Sequence, residues 1–280
     1  MLPKISVITP SFNQAQYIQA TIQSVLAQQY PQVEHLIIDG GSTDGTVDIL
    51  QRYEHCLRWI SEPDKGQANA INKGFKQATG EIMAWLNSDD IYLPYALQRA
   101  ADFFEQHPDI DVVYGDYHLI NERGEVLLHK QEIPFDYNIL LYGLDYISQP
   151  TTFFRRRVFD RAGYLDEGLH YGLDWEYWLR MARAGSKFAH IPQYLAAARW
   201  HPQAKTLTAP PQMYLEHQAI RDRYWHKHRF QSPYWQQWYA TWLNKRYRFK
   251  RQLLKVIRRH TLDFPPGDWI LNQQKSARPG

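Results

Sequence analysis

Residues 84–94, AWLNSDDIYLP, run an apolar strand into two adjacent carboxylates and then into a turn that Pro94 closes. Asp89 and Asp90 repel one another, and such a pair at a strand end is tolerated mainly where water or a cation neutralises it. What precedes the pair decides the fold. Residues 4–9, KISVIT, form a β-branched run ended by Pro10, and Ile18, Ile22, Val25 and Leu26 then recur at helical spacing as far as Tyr30-Pro31. VEHLII (33–38) reads as a second strand, the small polar turn DGGSTDGT leads into a short helix ending near Tyr53, and LRWI (57–60) is a third strand. A helix over 66–78 stops at Gly80, and EIMAWL (81–86) is the strand that delivers the carboxylates. Strand and helix alternating in this way predict parallel βαβ winding. The carboxyl ends of parallel strands are where open α/β sheets place their ligands.

Further along, Pro94 opens a helix that runs through Phe104 and ends near His107-Pro108. IDVVYGDYHLI (110–120) and EVLLH (125–129) predict an antiparallel pair around the turn NERGE, which makes the sheet mixed. Residues 131–148 are irregular and predict a loop over one end of the sheet, PTTFF (150–154) resumes as a strand, and DWEYWLRMARAG (174–185) is a helix with Gly185 as its stop. KFAHIPQYLAAARW then returns along the sheet. The fold class expected is α/β, a three-layer sandwich around a mixed, mainly parallel sheet, occupying residues 1–205. Two aromatic and basic helices, over 211–230 and 233–260, predict a helical extension at 206–263, and 264–280 reads as a loose tail.

The bulk numbers fit an ordinary globular protein: 280 residues, 44% hydrophobic and 22% charged, which excludes general disorder. A single cysteine, Cys56, cannot form a disulfide within the chain, and this fits a reducing, cytoplasmic setting. No signal-length apolar stretch precedes the first strand and none approaches the length of a membrane span, so neither export by that route nor a crossing is expected. The net charge of +3 is too small to argue for nucleic acid, but its distribution is uneven. Between Arg221 and Arg259 the only acid is Asp222.

Four blocks, ITPSFNQAQYI, IIDGGSTDGT, DKGQANAINKGFKQATGEIMAWLNSDD and AGYLDEGLHYGLDWEYWLRMA, resemble in order and spacing those of glycosyltransferase family 2, over about residues 3–205. The resemblance implies the GT-A fold and transfer of sugar from a nucleotide-sugar donor (UDP-, dTDP- or GDP-linked) to a glycan or lipid-linked acceptor. Mn²⁺ or Mg²⁺ would hold the departing diphosphate. In the place of the family's Asp-x-Asp element stands Asn87-Ser88-Asp89-Asp90, with Asn87 at the first position. By that resemblance Asp90 is the metal ligand and Asp89 faces the ribose or sugar. Asp39 would accept a hydrogen bond from the base, Phe12 would stack on it, and Pro10 and Ser11 would line the same wall. Lys65 would sit beside the phosphate or base. Asp174 matches the catalytic base of an inverting transfer, although Leu173 replaces the Glu that usually precedes it, and Glu176 is the fallback. His201 matches a late His that reaches metal or diphosphate.

Each of these has an ordinary structural alternative: an acidic turn for Asp89 and Asp90, an Asx turn for Asp39, a core ring for Phe12, and a helix cap for Asp174. Asp44 reads as a helix N-cap. The run Arg155-Arg156-Arg157 either faces acceptor phosphate or forms a solvated edge. The C-terminal helices either lie on an anionic membrane at its inner face or pack on the catalytic domain. A nucleotidyltransferase of related fold and a nucleic-acid-binding protein are the rival functions, and no recognised nucleic-acid motif accompanies the basic tail.

Overall fold

The computed structural model describes residues 2–205, 211–225 and 233–258, so the expected tail at 264–280 lies outside the described residues. Strands β1 (Ile5–Ser11), β2 (Val33–Asp39), β3 (Arg58–Ser61) and β4 (Ile82–Trp85) alternate with helices α1 (Ile18–Leu26), α2 (Thr46–Arg52) and α3 (Gln67–Gln77). All four strands pair in parallel, with Ser11 opposite Asp39 and Asp39 opposite Ser61. Their carboxyl ends therefore meet at one edge of the sheet.

The chain then adds a two-residue strand β5 (Ile91–Tyr92), helix α4 (Ala96–Gln106), strands β6 (Val112–Ile120), β7 (Val126–Lys130) and β8 (Phe153–Arg155), helices α5 (Val158–Ala162) and α6 (Leu173–Arg183), and strand β9 (Phe188–Arg199). The described sheet has nine strands in the order β3-β2-β1-β4-β8-β6-β9-β5, with β7 on β6. Strand β8 runs antiparallel to β4 and β6, while β6 and β9 are parallel. The sheet is mixed and mainly parallel, as the alternation predicts.

Strand side chains alternate between faces, so consecutive apolar residues fill two different cores. Ile8, Ile38 and Met83 join Phe75 of α3 and Trp178 of α6 on one face. Val7, Ile82 and Ala84 meet Leu97 and Phe104 of α4 on the other, where Ile37 also packs with Ile18 and Ile22 of α1. Helices on both faces make three layers. Each large apolar side chain enclosed this way contributes roughly 1.5–3 kcal/mol.

Two local expectations need correction. Residues 131–148 are irregular at both ends but not a loop throughout: Ile139–Gly143 form a π-helical turn with Ile139, Leu140, Leu141 and Tyr142 buried in the first core. The run 150–154 begins as a 3-10 turn at Gln149–Thr151, and only Phe153–Arg155 is strand.

Two helices follow the sheet, Pro211–Tyr224 and Pro233–Arg258. Their inner residues Ile220, Tyr224, Leu243 and Tyr247 are buried in the core of the α/β unit. Lys250 and Arg246 pair with Asp136 at 3.0 and 3.1 Å. The outer face differs: Trp235, Trp238, Trp242, Phe249, Leu253, Val256 and Ile257 are exposed. Among the described residues, no helix is long and apolar enough to cross a membrane.

Candidate active site

The loop after β2 is organised by Asp39, which is fully buried. Its Oδ2 accepts from the N–H groups of Gly41 (3.1 Å) and Ser42 (2.8 Å) and from the Ser61 hydroxyl (2.7 Å). Oδ1 accepts from Ser42 Oγ at 2.5 Å. Gly41, at a φ of +85°, allows the backbone to turn both amides onto one carboxylate. These four donors match the acceptor capacity of a carboxylate. Asp39 thus shapes the loop, and a base could bond to it only if Ser42 or Ser61 turned aside.

Phe12 follows β1 with 60% of its surface exposed, too open for a core ring. A Cβ on Gly40 would lie 2.7 Å from Asp64 Oδ2 and 3.4 Å from the Phe12 ring, so Phe12, Gly40 and Asp64 converge on one spot. Pro10 and Ser11 end β1 beside it, buried, and the Ser11 hydroxyl has no hydrogen-bond partner. Lys65 is exposed in the turn before α3. Asp44 is not the cap of α2, since Gly45 holds that position. Its oxygens accept from the N–H and hydroxyl of Thr46 (3.0 and 2.6 Å) and from Ala15 N–H (2.9 Å), joining two loops.

At the end of β4, Asn87 Oδ1 accepts from Trp85 Nε1 (2.7 Å) and Gln67 Nε2 (2.9 Å), and Gln67 Oε1 accepts from Lys205 Nζ (2.8 Å). Strand β5 pairs with β9, Ile91 opposite Ala197, and this register brings the end of β9 to the carboxylates. Asp90 Oδ1 accepts from the Arg199 N–H at 2.8 Å, and Arg199 Nε donates to the Asp89 carbonyl at 2.8 Å. His201 Nε2 lies 3.0 Å from Asp89 Oδ2, its Nδ1 lies 3.1 Å from Gln203 Oε1, and its ring sits 4.7 Å from that of Tyr17. Burial, reinforced by the Asp89 charge, pushes the Asp90 carboxyl well above the usual carboxylate range. The hydrogen bond to Asp89 raises His201.

The fit of a cation rests on that donor set. Among the described residues, no group of three or more His, Cys, Asp and Glu side chains could hold a metal by itself. A divalent ion shared with a diphosphate needs only one or two protein carboxylates. A buried carboxylate lifted by its neighbour is the electrostatic setting in which such an ion is favourable. Oxygen ligands also suit Mg²⁺ and Mn²⁺.

Asp174 enters from another element. It is the second residue of α6, whose N-cap is Gly172, and its Oδ1 accepts from the Trp175 N–H at 2.9 Å. Burial raises its pKa. Asp145 is close enough for the two charges to repel; crowding by the surrounding protein raises Asp145, and the Asp174 charge adds to the rise. Glu176 is buried and paired with Arg180 at 2.9 Å, and it also accepts from the Tyr224 hydroxyl, so it belongs to the scaffold.

The three arginines are tied into the fold by hydrogen bonds, with Arg157 also exposed. Arg155 donates to the carbonyls of Ile110 and Phe104, Arg156 to those of Gly80 and Ala78, and Arg157 to Asp111 and the Pro108 carbonyl. Sequence reasoning passed over Tyr17, Gln67, Asp145, Arg199 and Lys205. Only Arg199, two residues before His201 at a strand end, carried a local signal.

Comparison with known proteins fits this arrangement. The sequence profile of glycosyl transferase family 2 matches residues 6–164. An uncharacterized glycosyltransferase of Rickettsia typhi is 30% identical over 221 residues, 75% of this chain and 68% of that one. Another, from Mycobacterium tuberculosis, is 32% identical over 188 residues, 64% and 69% of the two chains. Among solved structures, S. aureus TarS 1–349 in complex with UDP-GlcNAc aligns with a TM-score of 0.63 at 21% identity, over 78% of this chain and 65% of that one. The mannosyltransferase PcManGT from Pyrobaculum calidifontis, in complex with GDP-Man and Mn²⁺, aligns at 0.61 and 18% identity, over 99% and 81%. At these identities the two structural likenesses speak for the fold. With the profile spanning β1 to α5 and the fold shared with both structures, the chain belongs to glycosyl transferase family 2 and has the GT-A fold of that class of enzyme.

Proposed function

We propose that this chain is a metal-dependent, inverting glycosyltransferase that moves a sugar from a nucleoside-diphosphate donor, linked to UDP, dTDP or GDP, to a hydroxyl of a glycan or lipid-linked acceptor. The observation that carries the proposal is the buried Asp90 beside Asp89 at the carboxyl end of β4, faced by His201 from the end of β9. Bound Mn²⁺ or Mg²⁺ would supply positive charge to the departing diphosphate. Asp90 and His201 would hold the ion, and Asp89 would face the ribose or sugar. Phe12 stacks on the base against Pro10, Ser11 and the loop that Asp39 builds, and Lys65 lies beside the phosphates. Asp174 takes the proton of the acceptor hydroxyl as its oxygen attacks the anomeric carbon from the face opposite the diphosphate. A carboxyl whose pKa is raised by burial suits that task near neutral pH.

In this proposal residues 1–205 form the catalytic domain and 206–263 the extension, whose inner face packs on the domain while its outer aromatic face meets an anionic membrane from the cytoplasmic side. The test is a thermal-shift and turnover screen of UDP-, dTDP- and GDP-sugars with Mn²⁺. Release of free nucleoside diphosphate is expected; pyrophosphate would indicate the nucleotidyltransferase instead. Asp90→Asn should abolish the metal-dependent turnover, on the order of 100-fold or more for a group stabilising developing charge, and a fully active variant would remove Asp90 from its role.

A further inference from the structure

We propose that Glu216, on the helix Pro211–Tyr224, is a positioning residue for the general base; this rests on the assignment of that role to Asp174. Glu216 Oε2 accepts from the N–H of His170 at 2.8 Å, and Oε1 accepts from the N–H groups of Tyr171 and Gly172, both at 2.7 Å. Three consecutive backbone donors turned onto one anion form a nest, here filled by the chain's own carboxylate. Bonds to a charged acceptor are the stronger kind.

The clamped turn leads straight into α6. Gly172 caps that helix and its carbonyl accepts from the Glu176 N–H at 2.9 Å, so the position of Gly172 fixes the first turn, where Asp174 stands. A negative charge beside a helix N-terminus is also favourable. Contact with the extension is close: a Cβ on Gly172 would lie 2.6 Å from Ile220 Cδ1. At the other end of the turn, the His170 ring lies 3.9 Å from where a Cβ on Gly66 would be, beside the loop of Asp64 and Lys65. The turn therefore runs from the proposed donor loop to the proposed base, and Glu216 holds its middle. All the residues of this clamp lie beyond residue 164, where the family profile ends.

Without the carboxylate, three N–H groups lose their acceptor and the start of α6 is free to shift. A misplacement of ~1 Å can cost on the order of 100-fold in rate. Donor contacts made by β1, β2 and β4 would be untouched, so the loss should fall mainly on kcat, with at most a small rise in donor KM through the Lys65 loop.

The test compares the full chain with Glu216→Ala, Glu216→Gln and Asp174→Asn. Hydrogen exchange is read on peptides spanning residues 168–176. Nucleoside diphosphate release is read with Mn²⁺ and UDP-GlcNAc or GDP-mannose, whichever the wild type consumes faster. In Glu216→Ala, exchange at 170–172 should rise roughly tenfold or more while β1 and β2 stay protected; kcat should fall about 10- to 100-fold with the donor KM within about twofold. Glu216→Gln, which keeps one acceptor oxygen, should lie between and controls for misfolding. Unchanged exchange at 170–172 in Glu216→Ala overturns the proposal, as does a rise in KM matching the loss of rate. Full turnover by Asp174→Asn would sink the general-base assignment instead, and the exchange data would still decide whether Glu216 holds the turn.

Discussion

The Tyr247 hydroxyl donates to Glu132 Oε2 at 2.7 Å, joining the Pro233–Arg258 helix to the segment after β7 across 115 residues of chain. Burial pushes the Glu132 carboxyl up to about 7, against the opposing pull of Tyr247 and Arg251 and with some help from Asp116. The folded protein then keeps this proton to about pH 7, whereas the unfolded chain releases it near 4.5. The native state binds more protons between those values, so stability falls as pH rises through that window. Thermal melts from pH 4.5 to 7.5 should show the decline, and Glu132→Gln should flatten it. An equal slope in the variant would assign the decline to other groups.

Gly74 on α3 has no room for a side chain, because a Cβ there would lie 2.5 Å from Ile8 Cγ2 and 3.2 Å from Ile38 Cγ1. Ala is intrinsically the better helix former by ~1 kcal/mol, but forcing a methyl into a filled core costs about 1–3 kcal/mol. The clash should win. Urea unfolding of Gly74→Ala is expected to show a lower midpoint with an unchanged slope.

The Asp174 charge adds to the rise of the Asp145 carboxyl, and repulsion between like charges acts on both partners. Asp174→Asn should remove transfer while leaving nucleotide binding nearly intact, as nucleotide titration would show. Asp145→Asn deletes the like charge, so the surviving Asp174 should lose its proton more readily. The acid limb of the pH profile of kcat/KM is then expected to move to lower pH.

The outer face of the Pro233–Arg258 helix exposes Trp238, Trp242, Phe249 and Leu253 beside exposed Lys245, Arg248 and Lys255. Residues 233–258 include no Asp or Glu. Rings at headgroup level with cations around them suit an anionic bilayer. Sedimentation with vesicles containing phosphatidylserine should carry the protein down, less so at high salt. Replacing Trp238, Trp242 and Phe249 by Ser should leave it in the supernatant with little change in its melting temperature, since these side chains are exposed.

The βαβ half of the fold was legible because its signals are local: β-branched runs, Pro and Gly stops, and helical spacing such as Ile18, Ile22 and Val25. Asp89, Asp90, Phe12 and Asp39 were visible for the same reason, each ending an apolar strand. What the sequence hid is what distant partners decide. The π-helical turn at 139–143 has no period of its own and is buried because Leu243 and Tyr247 come back over it. The arginines at 155–157 look like a charged surface until carbonyls from residues 78, 80, 104, 108 and 110 are placed against them. Glu216 reads as one solvated acid on a helix, and its three partners lie 44 to 46 residues away.

The wiring of Asp39 has a last implication. A turn whose Gly41 and Ser42 amides and two serine hydroxyls already terminate on one sheltered anion keeps its shape in the absence of visitors. On the proposed function, an arriving nucleotide meets a rigid ledge, and little of its attraction is diverted into freezing loose backbone. Calorimetry would then find a modest entropy penalty on association, and swapping Ser42 or Ser61 for Ala would enlarge it by letting the ledge soften.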